Sequence, residues 1–215
     1  MNRLLTGIAL LALAASATAC ANPAADAARA VTSEATARPG PPAAGAAEEK
    51  LTVTGENSRI EFVGSKVTGS EGGRFDKFSG AVYLADASPE NSRVEIVIDM
   101  NSVATDSNGL AEHLKNADFF DAPKFPHATF VSTEIKPGGE KGATHIVTGN
   151  LDLHGVTKAI TFPATIKVDA SAASLDAEFA INRKDFGITY AGRADDLIRD
   201  EVLIKLRVRA PRAAS

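Results

Sequence analysis

Four stretches of this sequence alternate apolar and polar residues with a period of two. That period commits most of the chain to antiparallel sheet. Val94, Ile96, Ile98 and Met100 alternate with Glu95, Val97 and Asp99, and Ile160, Phe162, Ala164, Ile166 and Val168 alternate with Thr161, Pro163, Thr165 and Lys167. Leu175, Ala177, Phe179 and Ile181 alternate with Asp176, Glu178 and Asn182, and Val202, Ile204, Leu206 and Val208 alternate with Lys205, Arg207 and Arg209. Successive strand side chains point to opposite faces, so each stretch has one apolar and one largely polar face. Strands of that kind belong to antiparallel sheets with one face in water. Further strands are expected over residues 58–67, 77–84, 129–136 and 144–153, which makes about eight, joined by turns such as Pro137-Gly138-Gly139. Residues 107–116 break the pattern. They lack β-branched side chains and carry Leu110, His113 and Leu114 at helical spacing, which predicts one short helix.

Many short strands in succession imply a barrel or a sandwich. Closing one sheet into a barrel removes its edges and gathers the apolar faces inside. The expected fold class is therefore all-β, an antiparallel barrel of about eight strands with one short helix. The inner faces mix Phe62, Phe130, Phe162 and Phe179 with Gly64, Ala128, Ala164 and Ala177. That mixture fits an apolar hollow and a packed core equally. If the barrel is hollow, the expected pocket residues are Phe62, Met100, Phe119, Phe130, Phe162 and Phe179. These follow from strand parity, and a slip of one residue would invert each strand's assignment.

The first fifty residues read differently. Met1-Asn2-Arg3 is a short positive start, 4–15 is an almost unbroken apolar run, and Ser16-Ala17-Thr18-Ala19 is small. This is the three-part pattern of a secretory signal peptide over residues 1–19. The apolar run is shorter than the ~20 residues a membrane span needs. Cys20, the single cysteine of the sequence, follows directly. Ala17-Thr18-Ala19-Cys20 resembles the lipobox of bacterial lipoproteins, which implies lipidation of Cys20 and a membrane anchor there; ordinary cleavage after Ala19 is the alternative. The localisation expected is export to the periplasm, as an outer-membrane-anchored lipoprotein or as a soluble periplasmic or secreted protein. Residues 20–50 are rich in Ala and Pro with almost no branched aliphatic side chain, so a flexible tether is expected there. The folded domain is expected over 51–210, with a short tail at 211–215.

Charge and motifs exclude several function classes. There are 23 Lys and Arg against 27 Asp and Glu, a net charge of −4, with no basic stripe, so nucleic acid is not an expected partner. The four histidines form no H-x-x-x-H or H-E-x-x-H pair, so neither a metal nor another cofactor is expected. No G-x-S-x-G elbow, G-x-G-x-x-G turn or phosphate-binding loop occurs, and no catalytic residue stands out. Asp118-Phe119-Phe120-Asp121 places two adjacent phenylalanines outside a strand. One of them is expected to plug the barrel end beneath the helix or to line the pocket mouth. Arg183 and His113 are the candidates for contact with a ligand headgroup, since Arg offers a planar fork of donors. The structural alternatives are an ion pair fixing the turn at Arg183-Asp185 and a bracing role for His113.

Several segments, in order, resemble the YceI family. Ser58-Arg59-Ile60-Glu61-Phe62 is similar to its opening strand, and Gly73-Arg74-Phe75-Asp76-Lys77-Phe78-Ser79-Gly80 to its G-x-F-x-x-F-x-G hairpin. His113-Leu114-Lys115-Asn116-Ala117-Asp118-Phe119-Phe120-Asp121 resembles H-L-K-S-x-D-F-F-D, with Asn116 for Ser. Lys124-Phe125-Pro126-His127-Ala128-Thr129-Phe130 resembles K-Y-P-x-A-T-F, and the run from Gly149 to Lys158 resembles G-x-L-T-L-x-G-V-T-K. Asn182-Arg183-Lys184-Asp185-Phe186-Gly187 resembles N-R-x-D-F-G, and Asp200-Glu201-Val202 the D-x-V of the last strand. Leu110-Ala111 stand where some members carry Arg-Asp before the helical His-Leu. The resemblance implies a lipocalin-like barrel with a long apolar pocket and a long-chain lipid or isoprenoid (polyisoprenoid, fatty amide or acyl chain) as partner, and no enzymatic activity. A filled barrel acting as an adaptor for a protein partner is the alternative.

Overall fold

The computed structural model describes residues 22–37 and 48–212. The expected leader and Cys20 lie outside the described residues. Among those described, the elements in chain order are β1 (Ala28–Arg29), β2 (Val31–Glu34), β3 (Glu48–Thr54), β4 (Arg59–Lys66), β5 (Gly69–Phe75), β6 (Phe78–Ala85) and β7 (Ser88–Asp99). A 3-10 turn at Met100–Ser102 leads to β8 (Val103–Thr105) and α1 (Asn108–Lys115). Then follow β9 (His127–Pro137), β10 (His145–Leu153), β11 (Val156–Val168), β12 (Ala172–Asn182), a 3-10 turn at Arg183–Phe186, β13 (Gly192–Arg193), β14 (Asp196–Leu197) and β15 (Glu201–Pro211).

The main sheet runs β3-β6-β7-β9-β10-β11-β12-β15-β4-β5-β8 and is antiparallel along that whole path. It curls back on itself through the bend at 55–58, which carries the chain from β3, paired with β6, into β4, paired with β15. Ser58 pins that bend: its buried hydroxyl accepts from the Arg209 amide at 3.0 Å. The expected barrel is therefore present, with one α-helix among the described residues, and the expected helix at 107–116 is α1. Ser107 caps it, accepting from the Leu110 amide, and Ala111 and Leu114 are its buried face. The strand count exceeds the eight expected, at fifteen among the described residues. The additional strands are short or lack alternation. β5 (Gly69–Phe75) is glycine-rich and mostly exposed, so it carries no period-two signal.

Glycines let aromatic rings lie flat across the strands. Phe62 pairs with Gly73, and a Cβ on Gly73 would come within 2.2 Å of the Phe62 ring. Phe130 lies over Gly149 in the same way, at 2.4 Å.

The free tether expected over residues 20–50 is replaced, in its described part, by a docked segment. Ala24 is 1% exposed and packs against Ala180, Leu203 and Val63 on the outer face of β12, β15 and β4. β1 then pairs in parallel with β12 (Ala28↔Phe179, Arg29↔Ala180), and β2 pairs antiparallel with β11 (Val31↔Thr161 to Glu34↔Lys158). The composition misled because the segment holds on mainly by backbone ladder bonds, which need no large apolar side chain.

Candidate functional site

The interior is divided into several apolar clusters instead of one continuous core. One lies among Leu51, Val53, Phe78, Leu84 and Ile96. A second holds Ile135, Val147, Ile160, Phe162, Phe179 and Phe186. Two smaller ones form, one beneath α1 around Leu114, Phe119 and Ile188, and one around Met100, Ala122 and Ala128. Half-buried residues join them. Phe130 and Leu206 border the first two clusters, and Leu153 borders the second and both small ones. Phe75 borders the first cluster and both small ones, Ile98 the first and the Met100 cluster, and Phe120 both small ones. A side chain sealed in a packed core loses nearly all its accessible surface. These six keep a part of theirs while touching two or three clusters at once. They form an apolar seam that joins the clusters along the inner face of the sheet, and none of the six carries a titratable group.

The alternation of β15 shows the same thing along one strand. Its inward row Val202, Ile204, Leu206 and Val208 is half-buried throughout, whereas Leu203 on the outer row is sealed by Ala24. That inner row spans about 20 Å at ~3.4 Å per residue.

The expected pocket residues divide into two groups. Phe62 and Phe130 lie at the seam. Phe62 meets Phe75 at 5.6 Å and Phe120 at 6.1 Å between ring centroids, and Phe75 and Phe120 are 5.7 Å apart. Met100, Phe119, Phe162 and Phe179 are buried. Met100 sits in the 3-10 turn after β7 and is sealed by Ala122 and Ala128. Phe162 and Phe179 stack on each other at 4.1 Å with planes 13° apart. Phe119 turns away to meet His113 and Tyr190 at 5.1 and 5.3 Å, so its neighbour Phe120 is the ring that faces the seam. Period-two reasoning has no purchase on two adjacent residues outside a strand. Ile98 and Leu206, by contrast, share the inward parity of their strands and were legible from it.

The two candidates for headgroup contact serve local structure. Arg183 is 4% exposed. Its guanidinium donates to the carbonyls of Arg199 (3.0 Å), Ile188 (2.7 Å) and Ile198 (3.3 Å) and to Asp200 Oδ1 (3.3 Å). Burial pushes its pKa down, and Asp200 opposes that shift. The ion-pair partner is thus Asp200 and not Asp185, and the fork of donors clamps the loop 187–200. His113 lies at 3.0 Å from Asp118 Oδ2 and edge-on to Tyr190 at 5.5 Å, bracing α1 against the segment that follows it.

A curled antiparallel barrel with one capping helix and an apolar seam defines the class of protein at hand. The YceI-like domain model matches residues 51–210, and the chain belongs to that family. A UPF0312 protein of Pseudomonas putida (strain W619) is 33% identical over 167 residues, covering 74% of this chain and 86% of its own length. Protein YceI of Salmonella newport (strain SL254) is 34% identical over 151 residues, covering 67% and 78%. Among solved structures, Burkholderia cenocepacia BcnA is similar at a TM-score of 0.62 and 28% identity, covering 71% of this chain and 96% of that one. A polyisoprenoid binding domain from Saccharophagus degradans, implicated in plant cell wall breakdown, is similar at a TM-score of 0.60, covering 77% and 100%. At 20% identity the last is a likeness of fold.

Proposed function

We propose that this chain is an exported, non-catalytic lipid-binding protein that holds a long isoprenoid or acyl chain along the apolar seam of its barrel. The observation that carries the reading is the set of half-buried apolar residues shared between the core clusters, Phe75, Ile98, Phe120, Phe130, Leu153 and Leu206. Burying a hydrocarbon chain against them yields ~0.8 kcal/mol per methylene without any charged contact. Family membership supports the reading, and the same fold serves as a polyisoprenoid binding domain in S. degradans. The leader-like start and Cys20 support export to the periplasm, with a lipid anchor on that cysteine.

The stacked Phe162 and Phe179 favour a second reading, a filled barrel that binds a protein partner on its outside. Native mass spectrometry of the chain from Asn22 onward decides between them. A mass excess that leaves with organic solvent as a lipid, or uptake of an added long-chain prenol, is expected. A bare mass and no uptake would favour the filled barrel. Phe120→Ala together with Phe130→Ala is expected to weaken prenol binding by roughly 2–4 kcal/mol, read by titration of a fluorescent prenol.

A further inference from the structure

The hairpin strands β11 and β12 pair directly only near their shared turn, Thr165–Val168 against Ala173–Asp176. Beyond that they part, and the gap is filled from the N-terminal side. β2 bonds to β11 over Lys158–Thr161, β1 bonds to β12 at Phe179–Ala180, and the Ala30 amide between them donates to the Ala180 carbonyl at 2.8 Å. The wall of the barrel is therefore completed here by a strand from another part of the chain. Directly behind it lies the Phe162–Phe179 stack, one ring from each side of the gap.

Few apolar side chains hold the segment, which is tied at its end by Asn150, whose side chain bonds the Thr36 amide and carbonyl at 3.0 and 2.7 Å. Val31 is 67% exposed, and Ala30, facing inward, contributes only a methyl group to the second cluster. The ion pairs Arg29–Glu201 and Glu34–Lys158 involve side chains of the segment that are 71% and 89% exposed, where such pairs contribute little. Ala24 is its one fully buried apolar side chain among the described residues. By contrast β12 and β15 pair in unbroken register from Ala172↔Pro211 to Asn182↔Glu201. Local opening concentrates where few apolar contacts back the hydrogen bonds, and β1–β2 is that place in this wall.

We infer that residues 28–34 form a displaceable seam strand, and that the gap it closes between β11 and β12 is the lateral port through which an apolar chain enters the barrel. This rests on the lipid-binding reading above. Displacing the strand bares Phe162 and Phe179, and parting those rings opens the second cluster toward Phe130 and Leu206. The small side chains of Ala28 and Ala30 suit a strand that must leave without dragging large apolar groups through water. An entering hydrocarbon replaces the ring stacking with its own contacts.

The test is a reversible lock. Val31 and Thr161 are directly opposed across β2 and β11, and Val31→Cys with Thr161→Cys places two thiols at the separation of a cross-strand pair. The full chain also carries Cys20→Ser, so that these are its only thiols. Uptake of a fluorescent long-chain prenol is followed by stopped flow in the oxidised and reduced forms. The port predicts uptake slowed roughly tenfold or more by the disulfide and restored by reductant, because the lock removes local opening. Equal rates in both forms, with binding intact, would overturn the port and leave lipid binding standing. No uptake by the reduced or parent protein would overturn both. Amide exchange in the parent protein checks the strand without lipid. The Ala30 amide and those of β2 are expected to exchange well before those joining β12 to β15, and equal protection would overturn displaceability.

Discussion

A methyl group on Gly149 would sit 2.4 Å from Phe130 Cζ and 2.7 Å from the Val131 carbonyl oxygen. One of those neighbours is backbone, so the clash cannot be relieved by a side chain alone. Gly149→Ala is expected to destabilise by roughly 1–3 kcal/mol, the usual consequence of overpacking, as a lowered urea midpoint with an unchanged slope. Arg183 poses a different problem. Its removal leaves the carbonyls of Ile188, Ile198 and Arg199 short of a donor. Arg183→Met is expected to cost about 1–3 kcal/mol in chemical denaturation, because carbonyls lose their donor while Asp200, partly exposed, keeps Lys184 at 2.9 Å. Prenol affinity of the folded fraction is expected to stay unchanged, because the guanidinium faces the loop 187–200 and not the seam. A large loss of affinity at full stability would support a headgroup role for Arg183.

Among the elements, the small β13–β14 ribbon shows how a loop is tied to the barrel by charge. Lys66 on β4 reaches Asp196 at 2.8 Å, and the Thr68 amide and hydroxyl donate to the same carboxylate. The hydrogen bond from Lys66, and those from Thr68, hold the Asp196 carboxyl below the ordinary aspartate range against a smaller opposing effect of burial. A depressed carboxyl contributes stability above its unfolded pKa of ~3.9, and that contribution is lost as pH falls through the lower folded value. The ribbon is therefore expected to loosen only below the ordinary aspartate range. The Thr68 amide resonance should titrate there, and Asp196→Asn should abolish the step. Titration of that resonance near neutral pH would contradict the assignment. The docked segment β1–β2 belongs to this scale too. A sign of it was present in the outer-face residues Val63, Ala180 and Leu203, which break the polar row on three adjacent strands and are covered by Ala24.

For the whole molecule, the sheet path and the bend at 55–58 decide where the apolar faces meet. Alternation along β7, β11, β12 and β15 made the barrel and its inward rows legible, and the spacing of Leu110, His113 and Leu114 made α1 legible. The family motifs carried the resemblance that the match over residues 51–210 bears out. The short strands β5, β8, β13 and β14 were not legible, because glycine, brevity or exposure removes the period that reveals a strand.

The sequence by itself determined which residues face inward on the long strands, since side-chain direction in a strand is a matter of parity and local sterics alone. Only the tertiary structure decided which of those residues are sealed and which line the seam. Phe130 and Phe162 have the same chemistry and both face inward, yet one borders two clusters while the other is stacked shut against Phe179. The difference lies in what each meets across the barrel, which depends on how far the strands curl and where their register shifts. The docking of residues 22–36 was likewise a tertiary matter. Backbone hydrogen bonds to an open seam hold that segment, and composition records side chains, not the partners the backbone will find.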